Sequence, residues 1–234
     1  MKSTTEEIRQ RFDQDVERFS NLDTGQSATI DAPLVLDLIA QASAESNPGA
    51  THLLDIGCGA GNYSLKLLER LPLREITLVD LSRPMLERAK QRVTQSSSAQ
   101  LNLFQGDIRE FAFVENRYDV IVAAAVLHHL REEAEWIQVF RGVYKSLNPG
   151  GSFWISDLVN HSWPEIQHMM WQRYGQYLAG LKDEKYRDQV FSYVEREDTP
   201  RPLFFQLDLL RQTGFRQIEV LHKNSCFAAF GALK

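Results

Sequence analysis

Apolar residues recur along this chain with two different periods, and the alternation between them predicts its elements. Over residues 5–19, Ile8, Phe12, Val16 and Phe19 fall at helical spacing with charges between them, which predicts one amphipathic helix. Residues 21–26 read as a loop, and 32–44, carrying Leu34, Leu36, Leu38 and Ile39, as a second helix ended by Ser46-Asn47-Pro48-Gly49. From residue 51 the pattern alternates. Strands are expected over 51–56, 75–80, 101–104, 118–124 and 152–156. Helices are expected over 63–71, 84–95, with Ser82 as N-cap, and 132–147. The strand over 118–124 is nearly unbroken in apolar residues, as in a strand buried on both faces. Asn148-Pro149-Gly150-Gly151 marks a break. This order predicts an α/β fold with a mainly parallel sheet.

The pattern changes over 157–202. Trp163, Met169, Met170, Trp171, Tyr174 and Tyr177 suit a helix, and a charged stretch follows over 182–196. This segment reads as an insertion covering the carboxyl edge of the sheet. A helix over 203–213, capped by Gly214, and a hairpin of 217–221 and 226–230 close the chain.

The stretch Asp55-Ile56-Gly57-Cys58-Gly59-Ala60-Gly61-Asn62 joins the first of these strands to its helix. Side chains at the glycines would block a ligand from the turn and from the free N–H groups of the helix start. A Walker A loop needs Gly-Lys-Ser/Thr, which is absent. The dinucleotide fingerprint needs a third glycine where this chain has Asn62, so nicotinamide binding is disfavoured. Ligands of such folds sit at the carboxyl ends of the strands, and Asp55, Asp80, Asp107 and the 124–129 segment all fall there.

With 234 residues, the chain suits one domain with a modest insertion. A net charge of −5 weighs against direct binding to nucleic acid or to an anionic membrane. The two cysteines, Cys58 and Cys226, fit no zinc motif and read as free thiols in a reducing compartment. No metal is expected. The polar start of the chain and the shortness of its longest apolar run, 120–127, set the expectation of a cytoplasmic protein without a membrane span.

The pattern Asp-x-Gly-x-Gly-x-Gly resembles the first motif of class I S-adenosylmethionine-dependent methyltransferases. The resemblance extends through Leu78-Val79-Asp80-Leu81-Ser82, Gly106-Asp107-Ile108, Tyr118-Asp119-Val120-Ile121-Val122 and Leu147-Asn148-Pro149-Gly150-Gly151, with a further match at 207–215. It implies a Rossmann-like, seven-stranded, mainly parallel sheet with an antiparallel C-terminal hairpin and helices on both faces. It also implies a single domain over 1–234, with a helical lid (1–47), a cofactor core (50–157), a helical cap (158–202) and a final helix and hairpin (203–234). The implied cofactor, S-adenosylmethionine, would meet Asp55, Gly57, Cys58, Gly59, Gly61, Asp80, Leu81, Asp107, Ile108 and Ala124. The turn would serve its carboxylate, Asp80 its ribose hydroxyls, Leu81 the adenine face, and Asp107 with the Ile108 N–H the adenine edge.

The methyl acceptor is expected to be a small molecule. His128 and His129 are the candidates for catalysis, and Asp157, His161, Trp171, Tyr174 and Arg201 for acceptor binding, with Trp163 and Tyr177 as further pocket walls. Arg173 and Arg187 are further candidates to hold an acidic acceptor. A homodimer is the assembly left open. Both chain ends, from Phe12-Asp13 to the closing 227–232 segment, are similar to the carboxy-S-adenosylmethionine synthase branch, which implies an arginine in the insertion that holds an added carboxylate. Arg187 is nearest, although Gly61 is intact where that branch tends to break the third glycine. A cofactor-bound sensor without turnover is the remaining alternative.

Overall fold

The computed structural model describes residues 2–21 and 25–234. Part of the loop expected over 21–26 lies outside the described residues. The chain runs α1 (Thr5–Gln14), α2 (Val16–Ser20), α3 (Ala32–Ser46), β1 (His52–Ile56), α4 (Asn62–Leu68), β2 (Glu75–Asp80), α5 (Arg83–Ser96), β3 (Gln100–Gln105), β4 (Tyr118–Ala124), α6 (Glu133–Ser146), β5 (Leu147–Leu158), α7 (Pro164–Leu181), α8 (Glu184–Glu197), α9 (Leu203–Thr213), β6 (Arg216–Asn224) and β7 (Phe227–Leu233). Short 3-10 turns, Ile108–Glu110 and Leu127–His129, follow β3 and β4.

The seven strands form one sheet in the order β3-β2-β1-β4-β5-β7-β6. All neighbours are parallel except those involving β7, which is antiparallel to both β5 and β6. Successive strand residues bury opposite faces, as the period of two requires. Leu53, Val120, Val122 and Trp154 pack under α3, α4 and α5. Leu54, Ile121, Phe153 and Ile155 pack under α6 and α9. The helices therefore cover both faces.

Register sets the functional edge. Ile56 pairs with Val79 and with Ala123, so the residues after them, Gly57, Asp80 and Ala124, end their strands at one level. Ala124 pairs with Ser156, and Asp80 with Gln105, which extends that row across β5 and β3. Strand order reverses between β1 and β4, where open α/β sheets hold their ligands.

Four elements differ from the pattern reading. The helix expected over 5–19 is two helices, interrupted at Asp15 (φ −101°, ψ 8°). Within the 1–47 segment expected as a lid, α3 packs its Val35, Leu36 and Ile39 into the sheet core. The break at Asn148-Pro149-Gly150-Gly151 is a bulge inside β5: the pairing steps from Tyr118–Leu147 to Val120–Ser152, with Gly150 at φ +79° absorbing the extra chain. The charged stretch 182–196 is helix α8, capped by Asp183, whose side chain accepts from the Tyr186 N–H. Beneath α7 and α8 a third apolar cluster joins Ile30, Leu158, Tyr174, Leu178, Val194 and Cys226. Gly214 caps α9 in the left-handed conformation, as expected. Both cysteines are free and buried. Among the described residues no helix is long and apolar enough to cross a membrane.

Candidate active site

The three turn glycines all have positive φ but different reasons for being glycine. A Cβ on Gly57 would lie 2.6 Å from the Val126 side chain, and one on Gly61 would press on Ala89 of α5 at 3.2 Å. Gly61 therefore faces α5, not the chamber beside it. A Cβ on Gly59, which lines the chamber, would meet nothing within 4 Å.

That chamber, about 100 Å³, is walled by Asp55, Gly57, Cys58, Gly59, Asp80 and Leu81, with Ala124 and His129 opposite. Asp80 sits at its centre: its two carboxylate oxygens accept from the Gly59 and Ser82 N–H groups, each at 2.8 Å. Each oxygen keeps a lone-pair direction for a ligand hydroxyl. Burial raises the Asp80 pKa to about 6, against these two backbone donors. Asp55 is fully buried, accepts from Ser64 Oγ at 2.6 Å, and is likewise raised to about 6 by burial. Burial also pushes the Cys58 thiol well above its ordinary value.

A side chamber continues from Gly57, Asp80 and Leu81 to Asp107, Ile108 and Val126. Here Asp107 caps the 3-10 turn through the Arg109 N–H at 2.9 Å and ion-pairs with the Arg109 guanidinium. Burial works against its charge, but Arg109 outweighs it and lowers the Asp107 pKa.

On the other side, a cavity of about 510 Å³ opens under α1, α2 and α8. Phe12, Phe19, Gln26, Tyr63, Ala124 and Ala125 line both it and the Asp80 chamber, so the two are contiguous. Its walls are largely apolar, with the rings of Tyr174, Tyr186, Tyr193 and Phe227 among them, and its polar groups include His128, Asp157 and Asp198. Tyr174 donates its hydroxyl to the Ala28 carbonyl at 3.0 Å and so presents its ring to the space.

His128 and His129 stand between the chambers, His128 lining the large cavity and His129 the two cofactor-side ones. Asp157 pairs with His128 Nδ1 and accepts the His128 N–H at 3.2 Å. Burial opposes the charged ring, but the Asp157 and Asp198 carboxylates outweigh it and raise the His128 pKa to about 9. For His129, burial and the neighbouring His128 charge hold the pKa well below the ordinary value. Burial raises Asp198 to about 6, against His128.

Three acceptor candidates lie elsewhere. His161 contacts Gln167 and Lys223 at the start of α7. Trp171 stacks on Phe191 at 4.8 Å, joining α7 to α8. Arg201 donates to the Arg131 carbonyl at 3.3 Å and lies over Phe205. Arg187 is outside the cavity as well, bound to Asp188 and Glu184. The cavity's own arginines come from α1 and α2: Arg11 is paired with Glu197 and Arg18 with Asp15. The sequence pattern does not mark Asp198, or the individual rings of Phe12 and Phe19, as site residues. Phe12 and Phe19 carried a helical period, but Asp198 stood in an Asp-Thr-Pro-Arg-Pro stretch with nothing to mark it.

A family model described as a methyltransferase domain matches residues 53–151. A carboxy-S-adenosyl-L-methionine synthase of Trichodesmium erythraeum is 30% identical over 190 residues, 79% of this chain and 73% of that one. The chain belongs to the S-adenosylmethionine-dependent methyltransferase family. A malonyl-(acyl-carrier protein) O-methyltransferase of Priestia megaterium is 30% identical over 168 residues, 72% of this chain, but the match spans only 58% of that relative. In fold, human N-acetylserotonin methyltransferase in complex with its S-adenosylmethionine superposes over 97% of this chain and 56% of that one, with a TM-score of 0.61 at 19% identity. The family's cofactor is S-adenosylmethionine. The methyltransferase site fits it on three counts: an open cradle at Gly59, a carboxylate with two free acceptor directions at Asp80, and an apolar wall at Leu81 and Met85.

Proposed function

We propose that this chain transfers a methyl group from S-adenosylmethionine to a small, largely apolar, ring-bearing acceptor. One observation carries the reading: the glycine-turn chamber opens directly into a largely apolar, ring-lined cavity of about 510 Å³, through Ala124, Ala125 and Tyr63. When bound, the cofactor supplies a methyl group activated on a sulfonium. The chain's own residues would do the rest. Asp80 accepts the ribose hydroxyls and Asp107 with Ile108 meets the adenine edge, whereas the Cys58, Gly59 and Gly61 N–H groups of the turn, expected to serve the methionine carboxylate, already donate to Val79, Asp80 and the Cys58 carbonyl. Phe12 and Phe19 roof both chambers and exclude water, so alignment supplies much of the rate. His128 and His129 face the acceptor's heteroatom at the boundary, and Tyr174 and Asp157 line its cavity.

The test is turnover with methyl-labelled S-adenosylmethionine against phenols, aromatic amines and small aliphatic acids. Transfer to ring-bearing acceptors supports the reading. Transfer to aliphatic acids alone, or to none of these in a protein that binds the cofactor, defeats it.

A second reading has its own support: two carboxy-S-adenosyl-L-methionine synthases, from Trichodesmium erythraeum and Campylobacter lari, match 79% and 85% of the chain. Against it, Arg187 is spent on surface carboxylates and the arginines of the cavity are already paired. Mass spectrometry of copurified ligand separates the two readings; a carboxylated cofactor would favour this one.

A further inference from the structure

The geometry points to a divalent transition-metal site, of the zinc and iron(II) class, formed by His128 Nε2, His129 Nδ1 and Asp198 Oδ1. His128 Nε2 lies 3.6 Å from Asp198 Oδ1, and His129 Nδ1 lies 3.4 Å from the same oxygen. Each of the three residues offers a ligand atom within 4.8 Å of the others. An ion bound at about 2.1 Å holds adjacent tetrahedral donors about 3.4 Å apart, so the two shorter separations need almost no movement.

A second observation is independent of these distances. Asp198 Oδ1 and both ring nitrogens of His129 are buried and make no hydrogen bond among the described residues. The Asp198 side chain is only 4% exposed. Leaving one such group unsatisfied is unfavourable, and three at one point call for a partner. A plain ion pair between His128 and Asp198 leaves only the Glu197 backbone to act on the His129 ring.

The surrounding residues hold the set in place. Asp157 engages His128 Nδ1, which turns Nε2 toward Asp198; metal-bound imidazoles are oriented by such carboxylates. The Thr199 N–H donates to the His128 carbonyl at 2.6 Å and brings the end of α8 to the 3-10 turn. Of the cations close by, Arg11 is held on Glu197 by hydrogen bonds of 2.8 to 3.1 Å, and Lys2 Nζ is spent on the backbone carbonyls of Glu195 and Asp198. Two imidazoles and one carboxylate select a transition ion over magnesium or calcium. Three protein ligands leave a position open, and His128 and Asp198 both line the large cavity, so that position faces the acceptor. A hydroxyl bound there loses its proton more readily. That last role rests on the methyl-transfer reading; metal binding itself does not.

The test is titration of the metal-stripped full chain with Zn²⁺ by calorimetry and with Co²⁺ by visible absorption. The expected result is one equivalent bound, with the absorption bands of a four- or five-coordinate cobalt ion. Asp198→Asn and His129→Gln should each weaken Zn²⁺ by at least about a hundredfold, and Asp157→Asn, which only orients His128, by about tenfold. Circular dichroism and melting of each variant show that it folds. Absence of saturable binding below about 100 µM, or undiminished binding by a folded Asp198→Asn protein, overturns the site. S-adenosylmethionine titrated into the same samples keeps the two questions apart: metal binding without cofactor binding defeats the methyl-transfer reading and leaves the metal site standing.

Discussion

The side-chain amide of Asn62 donates to the carbonyl of Phe19 at 3.1 Å, joining the first residue of α4 to the end of α2. Arg92 completes the latch, donating to Asn62 Oδ1 at 2.7 Å and to the Ala60 carbonyl at 2.6 Å. The position at which a dinucleotide fingerprint would have a glycine is here the residue that fastens the lid. Asn62→Ala should therefore speed cofactor release about fivefold, the worth of about one hydrogen bond, and increase proteolysis within α2. Stopped-flow release of S-adenosylhomocysteine measures it. An unchanged off-rate would mean that the lid is held by other contacts.

Asp80→Asn should weaken S-adenosylmethionine more than tenfold, because it loses charge-assisted bonds worth about 1.5–3 kcal/mol in total, and should lower the melting temperature as well, because its NH2 cannot accept from one of the Gly59 and Ser82 N–H groups. Calorimetry at pH 7.5 measures this. An equal affinity would remove Asp80 from the ribose site.

Cofactor affinity should fall in acid. Ribose hydroxyls donate to the ionised carboxylate, so binding favours the charged form of a group whose free pKa is about 6. As pH drops below 6 the dissociation constant should rise, about tenfold per unit. The Asp80→Asn protein should lose most of that slope. A wild-type constant that stays flat from pH 7 to 5 contradicts the assignment.

Gly57→Ala and Gly59→Ala should separate stability from binding. Both force an alanine into positive φ, at about 1–2 kcal/mol. Only the first also drives a Cβ into Val126, so its melting temperature should fall further. The second should stay folded and lose cofactor affinity. If Gly59→Ala binds normally, the cradle lies elsewhere.

Ser64→Ala should destabilise by about 1–3 kcal/mol near neutral pH, by removing the hydroxyl that supports the buried Asp55 carboxylate. The folded Asp55 pKa, about 6, lies above the ordinary 3.8, so Asp55 favours the folded state most below 3.8 and loses that contribution as pH rises through 6. The wild-type-to-variant gap in melting temperature should therefore shrink from pH 7.5 to pH 4.5. A gap independent of pH would assign Ser64 a packing role only.

The five parallel strands were legible because each carries its own apolar run and turn. The row Gly57, Asp80, Ala124 was legible because parallel register brings strand ends to one level. The insertion was not: its aromatic residues repeat at helical spacing whichever face they bury, so Trp171 and Tyr174 looked alike although one joins two helices and the other lines the cavity. Asp198 acquires its place through the Thr199 contact with His128, across about seventy residues of sequence. The break at Asp15 was hidden because Phe12, Val16 and Phe19 keep their period across it.

Phe12 and Phe19 roof the cofactor chamber and the large cavity together. One door thus serves two rooms. In the proposed methyl-transfer cycle, displacing these two rings would open both spaces together, which would favour a ternary complex over sequential visits and make the departure of spent cofactor and product two outcomes of the same motion.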